Sequence, residues 1–291
     1  MVRSRPTSPV KPLAGVRGLL LDLDGVIVLK GEAIPGAAAA VDELNRRGIP
    51  FRIVTNTSLV SRASLSSYGA SIGIHVAADR IMSGLSISAA YTARRFPGQP
   101  LYVLASDDAR SEFAGQRLLT DEQAGATDAV AAAVVVGDAP EVVSHPTLNR
   151  AFRLIRGGAE LVAMHKNRWW LTPDGPTIDS GAIVAGLEFA TGVRATIVGK
   201  PSREFFTAAA SEVQDELAAR DGGRRIGRAA LAMVGDDIQT DVLAAQRAGL
   251  RGVFVLSGKH GADDLAQARR RGGRVPDLVA DSLADVVAAL D

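Results

Sequence analysis

Leu19-Leu20-Leu21-Asp22-Leu23-Asp24-Gly25-Val26 sets two carboxylates, two residues apart, at the end of an apolar run. Successive strand side chains alternate faces, so Asp22 and Asp24 are predicted to point one way and Leu21 and Leu23 the other. A run this apolar reads as a parallel strand over 18–24, buried on both faces and closed by Gly25. Two like charges beside a core repel each other and resist desolvation. A cation or a shared proton would make the pair tolerable. The ordinary alternative is a pair of turn residues capping a strand–loop junction in water. Other parts of the chain decide between them.

Outward from this stretch, short apolar runs alternate with helical patterns, which predicts an α/β fold with a doubly wound parallel sheet. Pro35-Gly36 opens a helix that runs through AAAAVDELNRR to Gly48. Phe51 to Val54 forms a second strand, ending at Thr55-Asn56. Further strands are expected at 101–105, 131–136, 160–164, 194–198, 230–234 and 251–256. Helices are expected at 61–70, 83–95, 147–156, 181–190, 202–219, 239–248 and 282–290. The segment WWLTPDGPTI (169–178) reads differently, as a hairpin around a Pro-Asp-Gly turn.

The 291 residues suffice for two domains, each with its own core. With 47% hydrophobic and 22% charged residues the composition is that of a soluble globular protein. A net charge of +1 gives no reason to expect nucleic acid or a membrane surface as partner. Cysteine is absent, which excludes disulfides, thiol catalysis and Cys-based zinc sites. The first fifteen residues are basic and Pro-rich without an apolar core, so they read as a loose tail and not a signal peptide. No run of about twenty apolar residues exists, and the default location is cytoplasmic. Lysine occurs only at positions 11, 30, 166, 200 and 259 of a strongly Arg-biased chain.

Three further predicted strand ends carry polar clusters. FRIVT is followed by Asn56-Thr57-Ser58, so Thr55 and its neighbours offer hydroxyl, amide and N–H donors to an oxyanion. RATIV is followed by Gly199-Lys200-Pro201. ALAMV is followed by Gly235-Asp236-Asp237-Ile238-Gln239-Thr240-Asp241. Open parallel sheets bind ligands beyond the carboxyl ends of their strands, so all four clusters can meet in one site. Each has a bland reading: a loop cap for Thr55-Asn56, a solvated surface lysine for Lys200, helix-capping acids for at least one of Asp236, Asp237 and Asp241. Four such clusters, each at a strand end, are hard to explain that way together.

In this order the motifs resemble the haloacid dehalogenase superfamily of phosphohydrolases: DLDGV at 22–26, Thr55, Lys200, then GDDIQTD at 235–241. The long insertion between Thr55 and Lys200 resembles subclass IIA. Segments at 110–113, 148–155 and 198–206 resemble one branch in particular, that of phospholysine phosphohistidine inorganic pyrophosphate phosphatases and haloacid dehalogenase-like hydrolase domain-containing proteins. The resemblance implies a core formed by 16–80 and 194–291, an inserted α/β cap at 81–193, and a small phosphorylated substrate. It implies Asp22 as nucleophile and Asp24 as general acid and base. Thr55, Asn56 and Lys200 would hold the phosphoryl group. Mg²⁺ would sit on Asp22, the backbone carbonyl of Asp24, and Asp236, with Asp241 behind them. His165 and Lys166, after the strand ELVAM, are candidate readers of the leaving group, while Trp169 and Trp170 are expected to divide between cap core and surface. Asp179, near the start of the next helix, either caps that helix, the expected role, or faces the site. Homodimerisation through the cap is a further implication. The competing reading is a non-catalytic phosphometabolite-binding or receiver-like signalling protein.

Overall fold

The computed structural model describes residues 13–270 and 274–290. Most of the expected N-terminal tail therefore lies outside the described residues; Leu13, at its end, is buried in the core. The first strand runs Gly18–Leu21. Leu19 and Leu21 pack on one face against Val41, Leu44 and Phe51, and Leu20 packs on the other against Phe205 and Phe206. The strand is thus buried on both faces, as its unbroken apolar run requires.

It stops three residues short of the predicted end. Beyond Leu21 the chain turns, with the Leu23 carbonyl accepting from the N–H groups of both Ile27 and Val28. Asp22 still donates its N–H to the Val234 carbonyl at 2.9 Å, but Leu23 and Asp24 have left the sheet. The two acids therefore stand on a loop beyond the strand end, and strand alternation does not orient them.

Six parallel strands form the first sheet, in the order Leu278–Ala280, Arg251–Val255, Leu231–Gly235, Gly18–Leu21, Phe51–Thr55, Ile81–Ser83. Gly18–Leu21 lies between Leu231–Gly235 and Phe51–Thr55, so the carboxyl ends of three central strands share one edge. The helix Arg203–Arg220 starts at Ser202, whose hydroxyl accepts from the Phe205 N–H. It fills one face of the sheet with Phe205, Phe206, Ala209, Ala210, Val213 and Leu217.

A second sheet of five parallel strands has the order Thr196–Ile197, Glu160–Ala163, Ala133–Val136, Pro100–Leu104, Arg117–Leu118. It is built from the segment between Ser83 and Val198. Two short strands fall outside the boundaries expected from sequence, since Ile81–Ser83 pairs in the first sheet and Thr196–Ile197 in the second. Trp169–Thr172 and Gly175–Ile178 form the expected antiparallel hairpin. A second, unpredicted hairpin pairs Val28–Leu29 with Glu32–Ala33 beside the acidic loop. Among the described residues no helix is long and apolar enough to cross a membrane.

Candidate active site

Between the first sheet's central strand ends and the second sheet lies a cavity of ≈ 90 Å³. Asp22, Asp24, Thr55, Asn56, Lys200, Asp236 and His165 all line it, brought there from five separate stretches of chain. Asp241 is fully buried directly behind them. Lys166 does not join the group: its Nζ lies 2.5 Å from Glu188, and it is not among the lining residues.

Lys200 is the electrostatic centre. Its Nζ lies 2.8 Å from an oxygen of Asp22 and 2.8 Å from one of Asp241, with the side chain only 3% exposed. Burial by itself would lower the ammonium pKa, but the charges of Asp22 and Asp241 outweigh it and hold Lys200 protonated. One cation between two acids leaves a surplus negative charge. Burial, reinforced by the charge of Asp22, accordingly pushes Asp241 up to about 8. Asp22 is also raised, first by burial and then by Asp236 and Asp24, with Lys200 opposing.

Asp236 is buried and pushed up to about 6 by burial and by Asp241; its Oδ2 accepts from the Lys259 N–H at 2.7 Å. Asp24 is exposed at the mouth of the cleft; desolvation by the protein packed around it, and then the charge of Asp236, push it up to about 6 against the pull of Lys200. Asp237 is the acid that serves as helix cap. Its Oδ1 accepts from the N–H groups of Gln239 and Thr240, and Lys259 helps hold its pKa low against burial.

Oxygens of Asp22, Asp236 and Asp241 lie within 4.8 Å of one another. Gly25 (φ +79°) lets the acidic loop press against this group: a Cβ there would sit 2.3 Å from Asp236 Oδ2. Hard carboxylate oxygens, converging and carrying uncompensated charge, match the donor preference of Mg²⁺. The chemistry available is that of a nucleophilic carboxylate, a second carboxyl at the cleft mouth with a raised pKa, and cationic and hydroxyl groups for an oxyanion.

Comparison with known proteins agrees with this geometry. The model of the family "Haloacid dehalogenase-like hydrolase" matches residues 19–118, and a related HAD-hydrolase-like model matches 197–286. A bovine (Bos taurus) protein, haloacid dehalogenase-like hydrolase domain-containing protein 2, is 33% identical over 249 residues, covering 86% of this chain and 87% of its own. The chain belongs to the haloacid dehalogenase-like hydrolase family. Human (Homo sapiens) phospholysine phosphohistidine inorganic pyrophosphate phosphatase is likewise 33% identical, over 87% of this chain and 88% of its own. Among solved structures, p-nitrophenyl phosphatase from Archaeoglobus fulgidus superposes with a TM-score of 0.80 at 29% identity, over 94% of this chain and 99% of that one.

Within this family frame, several lining residues come from the inserted segment. His165 is buried, 3.2 Å from the Ser58 hydroxyl, and burial with the Lys200 charge lowers it to about 4, so the ring is neutral. Asp179 lines the cleft and accepts from the Ser180 N–H at 2.6 Å; it does not cap the following helix, which has no side-chain cap. Trp170 lines the cleft, whereas Trp169 is 40% exposed with Lys259 Nζ 5.7 Å from its ring centre. Sequence reasoning passed over Asp138 and Lys259, both lining residues. A signal existed for Lys259 in the scarcity of lysine: of the four among the described residues, Lys30, Lys200 and Lys259 line this cleft.

Proposed function

We propose that the protein is a Mg²⁺-dependent phosphohydrolase acting on a small phosphorylated metabolite through an aspartyl-phosphate on Asp22. The observation that carries the reading is Asp22 itself, a buried carboxylate paired with Lys200 at 2.8 Å and flanked by Asp24 and Asp236 in one cleft. Phosphatases among the named relatives support it. Asp22, the Asp24 backbone carbonyl and Asp236 would hold Mg²⁺, which when bound supplies the positive charge that a carboxylate needs to approach a phosphate dianion.

The chain's own groups account for the remaining steps. An Asp22 oxygen attacks phosphorus in line as the bond to the leaving group breaks. Asp24, at the cleft mouth with its pKa pushed up to about 6, gives its proton to the departing atom. Water then attacks the acyl phosphate while Asp24 takes a proton back, releasing phosphate and regenerating Asp22. Lys200 and the Thr55 hydroxyl stabilise the phosphoryl oxygens. Asp241 holds the Lys200 ammonium from behind. The inserted segment acts as the cap, placing His165, Asp179 and Trp170 over the leaving group and keeping bulk water out.

The test is phosphate release from a panel of phosphorylated metabolites, with p-nitrophenyl phosphate included, in Mg²⁺ and in chelator. The proposal expects release in Mg²⁺ alone. Absence of release from every member, by folded and Mg²⁺-loaded protein, would overturn it.

A further inference from the structure

The loop Thr55-Asn56-Thr57-Ser58 has two faces. The hydroxyls of Thr55 and Thr57 lie 3.0 Å apart, and the Thr55 hydroxyl also accepts from the Thr57 N–H. Asn56 and Ser58 turn the other way. Ser58 Oγ accepts from the Asp138 N–H at 2.7 Å and lies 3.2 Å from His165 Nε2. Asn56 reaches across to a different chain segment altogether. Its Oδ1 accepts from the Lys200 N–H at 2.8 Å, and its Nδ2 donates to the Lys200 carbonyl at 3.0 Å and to Asn167 Oδ1 at 3.2 Å.

Both amide hydrogens of Asn56 are therefore committed inside the protein, and its side chain has no donor left for a phosphoryl oxygen. It instead pairs with the backbone of Lys200 on both its donor and its acceptor, as a neighbouring strand would. The approach is close by construction: a Cβ on Gly199 would lie 2.8 Å from Asn56 Oδ1 and 2.2 Å from the Met164 carbonyl. Lys200 follows only a two-residue strand, Thr196–Ile197, at the edge of the second sheet. Its ammonium must nevertheless meet oxygens of Asp22, on the loop after the strand Gly18–Leu21, and of Asp241, in the helical turn Ile238–Val242 that follows Leu231–Gly235. Asn56, at the end of the strand Phe51–Thr55, is the residue that ties one to the other.

We infer that Asn56 is a positioning residue: it fixes Lys200 relative to Asp22, and through Asn167 it couples that placement to the seating of the cap. The inference rests on the phosphohydrolase reading for its kinetic consequence only. A misplaced ammonium costs transition-state stabilisation while leaving substrate entry largely unaffected.

The test compares Asn56→Ala and Asn167→Ala with the unsubstituted protein in two assays. One is p-nitrophenyl phosphate turnover in Mg²⁺; the other is calorimetric binding of tungstate, an inert oxyanion able to expand toward the five-coordinate geometry of the transferring phosphoryl group. Asn56→Ala should lower kcat by roughly 10- to 100-fold with KM within about 3-fold, and weaken tungstate by roughly 10-fold. Asn167→Ala, which removes the bond to Asn56 together with the Asn167–Asp179 contact but leaves the Asn56–Lys200 pairing intact, should change both in the same direction but less. Normal kcat and tungstate affinity in Asn56→Ala, with only its melting temperature lowered, would assign Asn56 to packing and overturn the inference. A larger loss in Asn167→Ala than in Asn56→Ala would overturn it too. Should Asn56→Ala not fold, Asn56→Ser, which keeps an acceptor, is read in the same way. If the unsubstituted protein hydrolyses nothing, the functional reading fails, and tungstate affinity alone still decides the role of Asn56.

Discussion

Replacing Lys200 by Met keeps the aliphatic stem and removes the one charge that lies against two buried carboxylates. Lys200 Nζ is 2.8 Å from Asp22 and from Asp241, and the three side chains are 3%, 9% and 1% exposed. Removing one partner from such a group leaves unpaired buried charge, at a cost of about 3–5 kcal/mol. The cost must depend on pH. Burial and Asp22 already push Asp241 up to about 8, and losing the cation raises it further, whereas an unfolded aspartate titrates near 3.9. Between those values the folded state of the variant holds a proton that the unfolded state has lost, so its stability falls as pH rises. The deficit relative to the unsubstituted protein is therefore smaller at pH 5 than at pH 9. Urea unfolding in chelator at both pH values measures it. Adding Asp241→Asn removes the surplus acid, so the double variant should be more stable than the sum of the single losses by at least about 1 kcal/mol. A deficit independent of pH, or additivity within about 0.5 kcal/mol, would refute the reasoning.

Three further outcomes are expected. Mg²⁺ must displace protons from Asp236, pushed up to about 6, so its affinity should fall by up to about tenfold per unit below pH 6 with proton uptake by the buffer; calorimetry in buffers of different ionisation enthalpy checks this, and a flat profile contradicts it. Asp24→Asn should slow an alkyl phosphate by about 10²–10⁴ and p-nitrophenyl phosphate far less, because p-nitrophenolate leaves without a proton; equal losses on both would remove Asp24 from the acid role. His165 is held neutral down to about pH 4 while its unfolded counterpart takes a proton near 6.5, so between these values the unfolded state binds more protons and stability falls as pH falls. The loss is roughly 3 kcal/mol over that window, and His165→Gln should be flatter there in urea titrations; parallel curves would count against this account of His165.

How far the sequence could be read depends on where each feature gets its energy. Strands such as Gly18–Leu21 and Ala133–Val136 are buried on both faces, so their apolar runs are visible locally. The edge strands Ile81–Ser83 and Leu278–Ala280 are three residues long and carry no such signal; pairing with a neighbour is what makes them strands. The end of the first strand at Leu21 was likewise hidden, because it is set by carbonyl contacts to Ile27 and Val28 and not by any change in hydropathy. In the site, the polar clusters stood out as clusters, but the direction of each side chain did not. Asn56 and Thr55 are adjacent in sequence and face different partners, and only the approach of Lys200 from 144 residues away decides which. Lys166 and His165 are also adjacent; one meets Glu188 on the next helix, the other turns into the cleft.

The central claim is that Asp22 carries the phosphoryl group during turnover. Rapid acid quenching of the enzyme with radiolabelled substrate in Mg²⁺, followed by peptide mapping, measures this directly. The account predicts label on the peptide containing Asp22, lost on hydroxylamine treatment, and absent from Asp22→Asn protein that still binds tungstate. Label on any other residue, or undiminished turnover by Asp22→Asn, would contradict it.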